Sequence, residues 1–182
     1  DMVWTDPPYG VSYVGKTKDA LTIENDALDD AGLEELLRCS LGCALVSCPA
    51  GAAWYVASPA GTLHHVFSTV LKEMDVWHQT LNWVKSAFVM GRSDYHYRHE
   101  AIFYGWKPGA AHYFVEDRTQ DTVLEFAKPS RSSEHPTMKP VELIERCVSN
   151  SSKPGNTVLD PFLGSGSTLI ACEKTGRICY GM

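Results

Sequence analysis

The sequence has no long apolar stretch. The run at residues 52–57 is among the longest, far short of the roughly 20 residues that a bilayer-crossing helix needs. The opening Asp1-Met2-Val3 lacks the build of a secretory signal, so cytoplasm is the expected compartment. The six cysteines, Cys39, Cys43, Cys48, Cys147, Cys172 and Cys179, contain no C-x-x-C pair, which speaks against structural zinc and against a secreted disulfide framework. They read as reduced thiols, mostly in the core. Glycine (14) and proline (10) are too sparse in 182 residues for a low-complexity or collagen-like chain. Positive charge is in deficit as well, with 16 Lys and Arg against 22 Asp and Glu, so the net charge gives no help in attracting a polyanion.

The distribution of charge is more informative than its sum. Residues 1–84 carry 4 basic and 11 acidic side chains, residues 85–139 carry 8 and 7, and residues 140–182 carry 4 of each. A polyanion-binding face therefore belongs to the middle third or to a few loops. An apolar share of 44% in a chain of this length suits one globular domain with a sizeable core.

Apolar spacing gives the coarse organisation. Met2, Val3 and Trp4 form a short strand broken by Pro7-Pro8, and residues 10–28 show no sustained period. Leu33, Leu36, Leu37, Leu41, Ala44 and Leu45 recur at helical steps behind Asp29-Asp30, which can cap a helix start. Residues 52–57 read as a buried strand, and Val66, Val70, Leu71 and Met74 as a helix closing near Asp75. Strands are expected at residues 76–84, 101–106 and 123–126. Val141, Ile144 and Val148 mark a helix opened by Pro140 and stopped near Lys153-Pro154-Gly155. A strand at 157–159, a helix at 167–174 and a strand at 177–181 complete the alternation. This predicts an open, largely parallel α/β sheet flanked by helices. Residues 107–139, with Pro108, Gly109, Pro129 and Pro136, read as a long connection. Trp54, Trp77, Trp83 and Trp106 are expected in the core, and His64-His65 on a helix surface.

Open α/β sheets place ligands at the carboxyl ends of strands, and two strand-end segments stand out. One is Asp160-Pro161-Phe162-Leu163-Gly164-Ser165-Gly166-Ser167-Thr168, a strand, an acidic turn and two glycines opening a helix. Such a turn lets backbone approach a ligand and aims helix N–H groups at it. Ser167 stands where a Walker loop needs lysine, and the third glycine of a dinucleotide fingerprint is missing. The other is Asp6-Pro7-Pro8-Tyr9. Two prolines after an Asp fix the backbone and leave the Asp6 carboxylate and the Pro7 carbonyl as a cluster of acceptors suited to an amino group with two hydrogens. Tyr9 offers a flat face for a planar base, worth about 1–3 kcal/mol of stacking. The plainer readings are a tight structural turn and a proline-rich turn with a surface tyrosine.

Asp6-Pro7-Pro8-Tyr9 near the start, His135-Pro136-Thr137-Met138-Lys139-Pro140 before a helix, and the glycine turn from Val158 to Thr168 together resemble the S-adenosylmethionine-dependent DNA amino-methyltransferases, in the motif order of the β group. The stretch through Gly91, Tyr95, His99-Glu100 and Phe103-Tyr104-Gly105 is similar to prophage and orphan members. The resemblance implies a Rossmann-like methyltransferase fold with circularly permuted motifs, S-adenosyl-L-methionine as cofactor and double-stranded DNA as substrate, with no metal. It implies a catalytic role for Asp6, Pro7, Pro8 and Tyr9, in which the carboxylate and first proline carbonyl bind the target amino group while the ring stacks on a flipped base. Asp160, Pro161, Phe162, Gly164, Ser165, Gly166, Ser167 and Thr168 match the cofactor motif, and His135, Thr137 and Lys139 the segment closing over the cofactor's methionine end. Asp before Pro-Pro favours adenine N6 as the target. Cytosine N4 and a non-catalytic prophage remnant remain as alternatives. Ring-carbon methylation is disfavoured, because the only adjacent pair of its nucleophile type, Cys48-Pro49, runs in reverse order.

Arg92, Tyr95, His96, Tyr97, Arg98 and His99 interleave basic and aromatic residues, which suits phosphates and unstacked bases as well as an ordinary loop. Lys16 and Lys18 are candidates for phosphate contact or for a solvated loop. His96 and His99 lack a third metal ligand. Family members carry a target-recognition domain between Gly105 and His135, where only about thirty residues stand here, so a short recognition-like insertion is expected at residues 107–134. The chain reads as one catalytic domain cut at both ends, the ribose-binding acid of the family being expected beyond Met182. A homodimer and a companion restriction nuclease are left open.

Overall fold

The first strand is buried at every position because it is covered on both faces, as inner strands of parallel sheets are. In the computed structural model, which describes residues 1–10, 28–88, 90, 91, 93–128 and 138–182, this is β1 (Met2–Thr5). It is followed by α1 (Asp30–Ser47), β2 (Ala53–Ser58), α2 (His64–Glu73), β3 (Gln79–Val84), β4 (His99–Trp106), β5 (Val123–Glu125), α3 (Val141–Ser151), β6 (Thr157–Asp160), α4 (Ser167–Thr175) and β7 (Ile178–Gly181). The strands form one sheet in the order β5-β3-β4-β2-β1-β6-β7. β1 pairs in parallel with β2 and β6, β6 with β7, and β3 with β5, whereas β4 runs antiparallel to both of its neighbours. This is the expected mixed, mostly parallel α/β sheet.

Alternate side chains sort onto two cores. Met2 and Trp4 of β1, Tyr55 of β2 and Ile102 and Tyr104 of β4 meet Leu143, Ile144, Cys147 and Val148 of α3 and Ala171 of α4. Val3, Trp54, Val56 and Phe103 face the other way, onto Leu33, Leu37 and Leu41 of α1 and Val66, Phe67, Val70 and Leu71 of α2. Helices thus cover both faces.

Capping follows the sequence closely. Asp29 caps α1, its carboxylate accepting from the Gly32 N–H at 2.9 Å. Pro140 precedes α3 with φ −60°, and α2 is followed by Asp75 at φ +56°. The strand expected from residue 76 begins only at Gln79. Residues 76–78 cross tightly over β4, where a Cβ on Gly105 would sit 2.0 Å from the Val76 carbonyl oxygen, so only glycine fits there.

Three expectations about burial need correction. Cys39 and Cys43 are exposed on α1, whereas Cys48, Cys147 and Cys172 are buried and Cys179 partly so; all six are free. Of the pair expected on a helix surface, His65 is exposed but His64 is only partly so. Its Nδ1 lies 3.1 Å from the Ser58 hydroxyl and its ring stacks on Phe103, and burial lowers its pKa. Trp54 and Trp83 are buried as expected, but Trp77 and Trp106 are only partly covered, the ring of Trp106 stacking with both His78 and His112. Among the described residues, no helix is long and apolar enough to cross a membrane.

Candidate active site

Because β1 and β6 are parallel neighbours, the two strand-end motifs emerge side by side at one edge of the sheet. β4 runs the other way, so its first residues, His99 and Glu100, arrive at that same edge, one step beyond the Ser58–Ala101 pair. Lys85 follows the end of β3, and Lys139 stands two residues before α3. Four further segments therefore converge on the loop that holds Asp6.

At the β6 end, Asp160 is buried and its carboxylate is fully engaged. Oδ1 accepts from the Thr5 hydroxyl at 2.8 Å and the Phe162 N–H at 3.0 Å, and Oδ2 from the Thr168 hydroxyl at 2.6 Å. Burial pushes its pKa up, and these three donors oppose the shift. Asp160 thus ties the last residue of β1 to the glycine turn and to α4, with each of its oxygens bonded within the fold. Thr168, also buried, spends its hydroxyl on Asp160. These two residues, matched to the cofactor motif by resemblance, are placed as the frame of the turn. Pro161, Phe162, Ser165 and Gly166 are partly exposed and Gly164 is exposed, while Ser167 is buried with its hydroxyl 3.1 Å from that of Ser165. Gly164 and Gly166 adopt φ +50° and +78°, a backbone region that glycine enters without steric cost. Gly166 precedes α4 and no side chain caps that helix, leaving its first N–H groups at the turn.

At the β1 end, Lys139 is the hub. Its buried Nζ donates to Asp6 Oδ2 at 2.6 Å and to the Tyr9 hydroxyl at 3.0 Å, and lies 3.0 Å from Glu100 Oε2. Glu100 Oε1 takes Lys85 Nζ at 2.5 Å, and Oε2 also accepts from the Tyr9 hydroxyl at 3.0 Å. The ring of Tyr9 meets Phe67 edge-on at 6.1 Å. Among the described residues, one atom of the cluster has no partner. Asp6 Oδ1 is covered and makes no hydrogen bond to them, although the side chain as a whole is 26% exposed.

The charges explain the protonation pattern. Burial pushes Glu100 up, but Lys139 and Lys85 outweigh it and hold the carboxyl at about 2. Burial likewise raises Asp6; Lys139 opposes and the Glu100 charge adds to the rise. Burial would strip the proton from Lys139, yet Asp6 and Glu100 overcome it and raise its pKa. Tyr9 is held well above the usual phenol range by burial and by the same two carboxylates. The site therefore combines ionised Glu100, a fixed cation and a carboxylate with one oxygen in reserve.

The structure brings Asp6, Pro7, Pro8 and Tyr9 together with the glycine turn, as the motifs imply, with Pro7 buried and Pro8 and Tyr9 partly exposed. It sets Lys139, matched by resemblance to the segment closing over the cofactor, against Asp6 and Glu100, the carboxylates that a buried ammonium needs. His135, Thr137, Lys16, Lys18 and Arg92 lie outside the described residues. Tyr95 and Arg98 are exposed on the β3–β4 connection at the same edge, Arg98 donating through Nε to the Lys85 carbonyl at 3.0 Å. Lys85 and the role of Glu100 escaped the sequence reading. An acid at the head of an otherwise buried strand was the available signal, since such a group stays in place only when paired. Among the described residues no cluster of His, Cys, Asp and Glu could hold a metal ion.

A profile of the DNA methylase family matches residues 1–182. The chain belongs to the DNA methylases. This methylase is 27% identical over 211 residues to the type II methyltransferase M2.DpnII of Streptococcus pneumoniae, an alignment covering all of this chain and 76% of that protein. Its fold is similar to that of M1.HpyAVI in complex with SAM, with TM-score 0.69 and 21% identity over 100% of this chain and 80% of the other. It is also similar to the cytosine-N4-specific PvuII DNA methyltransferase, with TM-score 0.74 and 14% identity over 99% and 73%. At these identities the two structures carry the methylase fold and not the choice of base.

Proposed function

We propose that this DNA methylase transfers the methyl group of S-adenosyl-L-methionine to the exocyclic N6 amino group of adenine in double-stranded DNA. The observation that carries this reading is Asp6 Oδ1 after β1, a buried carboxylate oxygen without a hydrogen-bond partner among the described residues. A covered acceptor left empty costs stability, and an N–H of an amino group is the donor it suits. An exocyclic amine conjugated to its ring is a poor nucleophile. Acceptors at Asp6 Oδ1 and the Pro7 carbonyl would localise its lone pair and stabilise the positive charge that develops on nitrogen during attack.

The glycine turn fits the cofactor. A Cβ at Gly166 would meet nothing within 4 Å and one at Gly164 only the Phe162 carbonyl oxygen, at 3.8 Å. Gly164, Ser165, Gly166 and Ser167 would hold the cofactor against the uncapped start of α4, with Asp160 and Thr168 fixing the turn from behind. When bound, the cofactor supplies a methyl group on a sulfonium, an electrophile that needs no metal. Tyr9 would stack on the flipped base. Its hydroxyl is anchored to Glu100 and Lys139, so the ring is already oriented before it offsets the few kcal/mol that flipping costs. Tyr95 and Arg98 on the β3–β4 connection, together with Arg92, Lys16 and Lys18, would meet phosphates and unstacked bases. Residues 107–134 would serve as a short recognition segment of a single catalytic domain.

Adenine rather than cytosine rests on the Asp that precedes Pro7-Pro8. The experiment is transfer of a labelled methyl group to mixed-sequence duplex DNA, followed by digestion and identification of the nucleoside. N6-methyl-2′-deoxyadenosine is the expected product. Its cytosine counterpart, N4-methyl-2′-deoxycytidine, would replace the base assignment, and no transfer by the full-length protein would leave the remnant reading standing.

A further inference from the structure

Asp6 is the outer end of a chain of four charges that alternate in sign: Lys85, Glu100, Lys139, Asp6. Each link is a direct contact, at 2.5, 3.0 and 2.6 Å, and the four residues come from different segments of the edge. Both lysines are buried. We propose that Glu100 and Lys85 are positioning residues for methyl transfer, which pin Lys139 so that it holds Asp6 by Oδ2 alone and leaves Oδ1 as the acceptor for the amino group. The proposal rests on the function given above and specifies how its acceptor is kept open.

Donors and acceptors in the cluster pair off. Lys139 has three protons and three acceptors: Asp6 Oδ2, the Tyr9 hydroxyl and Glu100 Oε2. Glu100 divides its oxygens, one to Lys85 and one to Lys139 and Tyr9. Among the described residues, every polar atom of the cluster is engaged except Asp6 Oδ1. An ammonium whose sole carboxylate partner was Asp6 would settle between its two oxygens and occupy both. Glu100 and Tyr9 draw Lys139 to one side, and Lys85 keeps Glu100 from swinging after it. Lys85 is itself fixed, since its backbone N–H donates to the Arg98 carbonyl and its own carbonyl accepts from Arg98 Nε.

The groups facing Asp6 are Lys139 from the lead-in to α3, Glu100 from β4, Tyr9 from its own loop and Asp160 from β6, and the signs of two substitutions follow from them. Lys139→Met removes the cation and leaves two carboxylates facing each other, which raises the proton affinity of Asp6. Glu100→Gln removes an anion and lowers it.

The test uses the full-length protein, with the pH dependence of kcat on duplex DNA and, without cofactor or DNA, a carbon NMR titration of the Asp6 carboxyl, assigned by its loss in Asp6→Asn. Lys139→Met is expected to move the Asp6 titration and the acid limb of kcat upward by about one to three pH units. Glu100→Gln should move both downward and lower kcat at least about tenfold, with a smaller change in KM. Lys139→Arg, which keeps the cation, should leave the acid limb near that of wild type. Unchanged titration and pH profiles in Glu100→Gln and Lys139→Met, with only a lower melting temperature, would overturn the proposal by reducing the chain to a structural brace. Should Lys139→Met not fold, Glu100→Gln decides through the same two readouts. If the wild-type protein transfers no methyl group to DNA, the function proposed above fails, and the carboxyl titration alone still decides whether these residues govern Asp6.

Discussion

Asp6 and Asp160 end adjacent parallel strands, and their surroundings differ in kind. Both oxygens of Asp160 have partners: two hydroxyls and a backbone N–H donate to its carboxylate, with no cation in contact among the described residues. Asp6 is held through one oxygen by a buried lysine and, among the described residues, keeps the other unbonded. A carboxylate with both oxygens bonded within its own fold is part of the frame. One with a covered, unbonded oxygen keeps room for a donor from outside. The comparison divides the site into a rigid cradle on the β6 side and a poised acceptor on the β1 side.

The strongest way to break that division is Asp6→Ala. Loss of the acceptor should lower kcat by about a hundred- to a thousand-fold, as removal of a comparable charge-stabilising group does elsewhere. Lys139 keeps Glu100 and Tyr9 as partners, so the variant should still fold. Near-normal turnover would remove Asp6 from the chemistry.

Asp160→Ala should do the reverse and act first on stability. It strands the Thr5 and Thr168 hydroxyls and the Phe162 N–H, a loss of roughly 3 kcal/mol, since hydrogen bonds to charged groups are each worth about 1.5–3 kcal/mol and do not add fully. Urea denaturation followed by circular dichroism measures this, and an unchanged midpoint would show that Asp160 does not frame the turn.

pH sharpens the comparison further. The Glu100 carboxyl sits at about 2 in the fold against an ordinary 4.5. A depressed carboxyl stabilises the fold above the ordinary value and loses that contribution as pH falls through the folded one. Between about pH 4.5 and 2, wild type should therefore lose stability that Glu100→Gln does not lose, and above that window the gap between them should be constant. Asp6 and Asp160 carry the opposite sign, because burial raises both. Midpoints of urea unfolding measured across this range test the difference.

The smallest expected effect lies at the rim. Arg98→Gln should reduce the slope of log affinity for DNA against log salt by about one if its guanidinium meets a phosphate. An unchanged slope would move the phosphate contacts to other residues of the same edge.

Much of this architecture was readable before any coordinates. The period of Leu33, Leu37 and Leu41, the cap at Asp29, the proline before Val141 and the glycine turn after Asp160 are local features, each governed by neighbours a few residues away. The failures are where a neighbour comes from afar. Cys39 and Cys43 fall on the solvent side of α1, and His64 is drawn under Ser58 and Phe103. Lys139 was legible as part of a motif, but its partners were not.

The sequence by itself determined which residues have the chemistry: a carboxylate locked before two prolines, two glycines free to adopt positive φ, and an alternation of strands and helices that sets both motifs at strand ends. Only the tertiary structure decided which of those groups are spent and which remain available. The adjacency of β1 and β6 fills Asp160 from Thr5, and the reversed direction of β4 carries Glu100 to the edge where Lys139 and Asp6 meet. Residue type states how many hydrogen bonds a side chain is able to make. How many are already made depends on distances across the sheet, between groups that local spacing never relates.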